Sequence, residues 1–118
     1  MKIKLLLPIL LLLSGCSDVV SDKYATYELA QQAHLFDRGW LPDIVPSSAT
    51  QIEVNNDLDT NTSEGSFRID EPQLTEFIAK LTATSSKDEY HFTSGDSTWA
   101  FKMGDDSVIT YTLNKVKG

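Results

Sequence analysis

The stretch EYHFTSGDSTWAFKMGDDSVITYTLNK, residues 89–115, sets the architecture of this chain. Within it Tyr90 and Phe92 alternate with polar neighbours, as do Trp99, Phe101 and Met103, and then Ile109, Tyr111 and Leu113. A period of two marks a strand with one buried and one wet face, because successive side chains leave a pleated backbone on opposite sides. Ser94-Gly95-Asp96 and Gly104-Asp105-Asp106 separate the runs at hairpin distance. Three consecutive antiparallel strands are therefore predicted.

Immediately upstream, the pattern becomes helical. Asp70 is a good N-cap, Gln73 stands three residues later as in a capping box, and Ile69 and Leu74 hold the hydrophobic-staple positions. Leu74, Phe77, Ile78 and Leu81 follow at helical spacing, with Thr75, Glu76 and Lys80 on the other side. Such a stripe must cover something, and the three strands supply it. Further upstream Thr50, Ile52 and Val54 alternate with Gln51, Glu53 and Asn55, and Gly65 to Ile69 forms the returning arm of a hairpin. Residues 24–36 are rich in helix formers. That helix is expected to end where Gly39 takes the left-handed C′ position and Trp40 covers Leu35, and Pro42 forbids resumption. Trp40 to Pro46 holds four large apolar residues and two prolines, an extended crossing over the core. The predicted fold is α+β, in the order αββαβββ: an antiparallel sheet of about five strands with two helices on one face.

The amino terminus has a different character. Lys2 and Lys4 precede an apolar run from Leu5 to Leu13, broken only by Pro8. This is the n-region and h-region of a signal peptide. The run is too short to span a bilayer, which takes about 20 apolar residues. Leu13-Ser14-Gly15-Cys16 then resembles the lipobox of bacterial lipoproteins. The resemblance implies that residues 1–15 are a cleaved signal peptide, that Cys16 carries a diacylglyceryl thioether, and that its new amino group is acylated, with palmitate-type chains. Residues 16–22 would be the lipidated cysteine and a short tether, and residues 23–118 a single domain. Ser17, where an aspartate would imply retention in the inner membrane, implies the outer membrane, on its periplasmic face. Chemistry agrees with the resemblance: a lone thiol is awkward in an exported chain, and thioether formation consumes it.

Charge and composition exclude several functions. The formal net charge is −7, and loss of Lys2 and Lys4 with the leader takes it to −9. So acidic a domain lacks the clustered positive charge that nucleic acid demands. One cysteine excludes a disulfide framework and a multi-cysteine metal site. Asp57, Asp59 and Asn61 match the first ligand positions of a calcium loop, but Thr62 replaces its turn glycine and Arg68 its closing glutamate, so the stretch reads as a hydrogen-bonded turn. His34 and His91 lie far apart without further ligands at metal spacing, and take a helix-end and a strand-face role. With no nucleophile elbow, His-Glu-x-x-His helix or phosphate loop, neither an enzyme nor a cofactor is expected.

What remains is binding. Trp40, Leu41 and Ile44 form the most unusual apolar segment, a covering strip over the core or a docking ridge for a protein partner. Arg38 to Pro42, with Pro46 to Ala49, Ile52 and Leu58 to Asn61, resembles a pattern in an uncharacterised family of small bacterial proteins with a Gly-Trp-Leu-Pro segment, many of them lipoproteins. That resemblance carries no function with it. The expectation is a membrane-anchored lipoprotein whose periplasmic domain binds a protein partner in envelope assembly or scaffolding. The alternative is an inhibitor or immunity-type lipoprotein that neutralises a toxin or hydrolase, an acidic face speeding encounter with a basic partner.

Overall fold

A computed structural model describes residues 19–115. The chain runs β1 (Val19–Thr26), α1 (Tyr27–Gln32), β2 (Thr50–Asp57), β3 (Thr62–Arg68), α2 (Glu71–Ala79), β4 (Thr82–Ala83), β5 (Glu89–Ser94), β6 (Ser97–Met103) and β7 (Val108–Lys115). A tight turn at Asp105–Ser107, left-handed at Asp106 and Ser107 (φ 58° and 62°), precedes β7. The strands form one antiparallel sheet of seven, in the order β1-β2-β3-β7-β6-β5-β4.

This corrects the expected five-stranded αββαβββ fold with two helices on one face. The five expected strands are present as β2, β3, β5, β6 and β7, and the two extra ones are the sheet's edges. At one edge, residues 19–26 form β1, although the sequence placed 19–22 in a tether and 24–26 in a helix. An edge strand has one neighbour only. Seven of the eight β1 residues are exposed and Tyr24 is half-buried, so no alternation was imposed on its sequence. At the other edge β4 is only two residues long, too short to carry a pattern.

The helices are shorter than predicted: α1 has six residues and α2 nine. Thr26 caps α1 by accepting a hydrogen bond at Oγ1 from the Leu29 amide at 3.2 Å. His34 then takes a left-handed conformation, φ 63°, and closes α1: its own amide reaches the Gln31 carbonyl and the Leu35 amide reaches that of Ala30. One further turn ends in the same way at Gly39, φ 83°, with Gly39 bonded back to Phe36 and Trp40 to Leu35. The terminator predicted at Gly39 and Trp40 therefore exists, with a second break ahead of it. In α2 the Asp70 side chain makes no cap bond, and the Asp70 carbonyl instead accepts from Gln73 and Leu74, each at 3.0 Å.

The core lies on one face of the sheet. Ile52 and Val54 from β2, Phe67 from β3, Trp99 and Phe101 from β6, and Ile109, Tyr111 and Leu113 from β7 are all buried there. Phe77 of α2 packs edge-on against Phe67 and Phe101 at ring distances of 6.1 and 5.1 Å, and Phe67 meets Phe101 at 6.1 Å. Ala30, Leu35, Leu41, Val45, Ala49 and Ile69 complete the core, so the irregular segment between α1 and β2 supplies much of its cover.

Candidate functional site

Among the described residues, nothing covers the opposite face of the sheet. Register carries one row of residues across all seven strands: Ser21, Asn55, Glu64, Thr112, Ala100, His91 and Thr82. A second row crosses six strands: Lys23, Glu53, Ser66, Thr110, Lys102 and Glu89. Hydroxyls, amides and both signs of charge are thus interleaved. Ser21 donates to Asn55 Oδ1 at 2.6 Å, Lys23 pairs with Glu53 at 3.8 Å, and His91 Nε2 lies 3.4 Å from Glu89 Oε2. The Lys23 pair is exposed and therefore contributes little to stability.

Two adjoining hollows lie on this face, and a further one of about 460 Å³ at its β1 edge is lined by Lys23 and Glu53. The larger of the two, about 520 Å³, is lined by Asn55, Glu64, Ser66, Lys102 and Thr110 among others; its neighbour, about 350 Å³, shares Asn55, Glu64 and Thr112 with it. A bulge between Thr50 and Glu53, with Gln51 at φ 49°, interrupts the β2–β3 register. The Glu53 carbonyl occupies the place where a Cβ on residue 65 would stand, which explains Gly65. Ala100, the smallest side chain in the first row, lines the larger hollow, and Gly65, Phe101 and Tyr111, whose register faces the core, border it.

Beneath it, on the core side, runs a buried polar chain. Ser63 donates to Asn56 Oδ1 at 2.6 Å, and its hydroxyl lies 2.8 Å from the Tyr111 hydroxyl. Burial pushes the Tyr111 phenol well above the usual tyrosine range; the Ser63 hydrogen bond offsets part of this and the Glu64 charge adds to it. Tyr24 is raised too, by burial first and by Asp22, against a lowering by Arg38.

The residues singled out from sequence fall elsewhere. Cys16 lies outside the described residues. Leu41 has no exposed surface and serves the core, whereas Trp40 and Ile44 are half-buried and pack on its margin. The Trp40 carbonyl accepts from Trp99 Nε1 at 3.0 Å, which fastens the strip to β6. A hollow of about 270 Å³ beside it is walled by Phe36, Phe92 and Trp99. Asp57 Oδ1 accepts from the amides of Asp59 and Thr60, at 3.0 and 3.3 Å, and so braces the β2–β3 turn. Among the described residues no cluster of three or more His, Cys, Asp or Glu side chains could hold a metal. His34 caps α1 and pairs with Asp37 at 3.1 Å; His91 stands on the open face. Among the described residues no helix is long and apolar enough to cross a membrane.

Sequence reasoning missed the open face because nothing in its polar residues marks them individually. Only the register, which aligns one from each strand, makes them a surface. No curated protein and no solved structure matches the chain. Residues 18–68 do match a family model, and that match takes in the Arg38–Asn61 stretch already noted. From the first strand to the end of β3, the chain is similar to the YbbD head domain.

Proposed function

We propose that this chain is an exported lipoprotein, held by a lipid on Cys16 at the periplasmic face of the outer membrane, whose domain binds a protein partner in envelope assembly or scaffolding. The observation that carries the partner reading is the open face. Its two adjoining hollows form a broad surface of hydroxyls, amides and charged groups, in which Asp57, Glu64 and Glu89 outweigh Lys102. Small-molecule sites are typically enclosed and mainly apolar, whereas the surfaces proteins offer one another are broad and mixed. The lipid reading is supported by the order of residues 2–16, from lysines through the apolar run to Leu13-Ser14-Gly15-Cys16. A diacylated cysteine with a third chain provides stable anchoring, since each buried methylene contributes about 0.8 kcal/mol.

Photo-crosslinking in intact cells tests the partner reading. A photoreactive residue at Thr112, in the centre of the open face, is expected to give one discrete adduct. Ala100→Arg on the neighbouring strand should abolish it while the purified variant keeps its melting temperature. No adduct at Thr112, or the same adduct from a probe at Glu71 on α2, would overturn the assignment.

A further inference from the structure

Both β2–β3 and β5–β6 turn at the same end of the sheet, and the chain enters there as well. Val19 pairs with Asp57, the last residue of β2, so the first described residue lies beside the Leu58–Asn61 turn. Four large apolar side chains among the described residues are strongly exposed, and three are at this end: Val19 at 47%, Val20 at 44% and Leu58 at 52%. Val19 leaves β1 toward the open face and Val20 toward the core side, as their partners Asp57 and Asn56 require, and Leu58 stands at the tip.

We infer that Val19, Val20 and Leu58 form a lipid-contacting edge that seats the domain end-on against the bilayer. The inference rests on the anchor proposed at Cys16. What commits the patch to lipid is where the chain outside it leads. Three residue steps separate Cys16 from Val19, and at roughly 3.3–3.6 Å per residue the two are never more than about 11 Å apart. A lipidated Cys16 at the membrane surface thus holds these side chains at headgroup depth, where apolar groups gain by leaving water. The Asp57 oxygen nearest the turn is committed to the Asp59 and Thr60 amides, which limits the local cost of its charge. The contact suits zwitterionic lipid better than anionic lipid, because the domain is acidic. Held in this way, the strands stand away from the surface and the open face looks sideways along the membrane.

The test uses the acylated protein extracted from membranes and reconstituted in phosphatidylcholine vesicles. With Cys16 consumed by lipid, a Thr60→Cys substitution places a single nitroxide label beside Leu58, and Asp105→Cys places one at the far end of the sheet. The expected result is a higher ratio of oxygen to aqueous nickel-complex collisions at 60 than at 105, lost when Val20→Asp and Leu58→Asp are combined. Equal ratios at 60 and 105 on vesicle-bound protein would overturn the docking and leave the anchor standing. Spin–spin broadening at 60 would assign the patch to a second copy of the chain and overturn the lipid contact. Protein that carries no acyl chains and does not float with vesicles would overturn both readings.

Discussion

Trp99 donates its indole N–H to the backbone carbonyl of Trp40 at 3.0 Å, across 59 residues of chain. This bond fastens the irregular cover to the central part of the sheet, and it explains why a segment without regular structure can bury Leu41 and Val45. Trp99→Phe leaves that carbonyl without its donor and thins the packing beside Phe92, whose ring lies 6.0 Å from the indole. A loss of about 1–3 kcal/mol is expected, which for a domain of this size lowers Tm by roughly 4–8 °C per kcal/mol. Thermal unfolding followed by circular dichroism checks it, and Trp40→Phe, which keeps the carbonyl, should cost less.

Gly65 is a second fixed point. A Cβ there would collide with the Glu53 carbonyl and come within 3.0 Å of Tyr111 Cε1. The obstacle is backbone, so it cannot rotate aside. Gly65→Ala should destabilise by about 1–3 kcal/mol, as overpacking does, although alanine ordinarily suits a strand better than glycine. Denaturant unfolding measures the loss. The same change at Gly39 would test a different requirement, since open space surrounds that Cβ and only its φ of 83° resists substitution.

Alkaline pH should expose the buried Tyr111 phenol. Its folded pKa is raised above the ordinary value of 10.0, so the unfolded chain loses the proton first. The stability it contributes is complete below about pH 10 and falls as pH rises through the folded pKa, by up to about 1.4 kcal/mol per pH unit. Tyr24 acts in the same direction. Tyr111→Phe loses the Ser63 contact but should show a shallower decline between pH 10 and 11 in urea unfolding than the parent.

The aspartate turn makes a prediction about metal. With Asp57 Oδ1 accepting two backbone amides, the turn is braced without a cation. Asp57→Ala should cost about 1 kcal/mol through loss of those bonds. Millimolar calcium should leave the Tm of the parent unchanged, because a ligand that binds the folded state at such concentrations would raise it.

Much of the fold was legible because its central strands are half-buried. The alternation of Trp99, Phe101 and Met103 and of Ile109, Tyr111 and Leu113 exists only because one face of β6 and β7 is covered. The same logic hid β1, whose exposed residues answer to no core, and allowed Tyr24, Ala25 and Thr26 to pass for the start of a helix. It also concealed the second break at His34, since a non-glycine residue in a left-handed turn leaves little trace in sequence. Leu41 and Trp40 were visible as an anomaly, but chain composition cannot say whether an apolar strip faces inward or outward. The open face was invisible for the opposite reason: Asn55, Glu64, Thr112 and Ala100 come from four strands and are ordinary in each.

The proposed orientation at the membrane, and with it the direction in which the open face looks, rests on the lipid proposed at Cys16. The most direct measurement is the intact mass and thiol reactivity of the protein extracted from cell membranes. The account predicts a chain beginning at Cys16, without residues 1–15, carrying a diacylglyceryl group and one further acyl chain, and inert to thiol reagents. A water-soluble protein with a free, alkylatable Cys16 would contradict it.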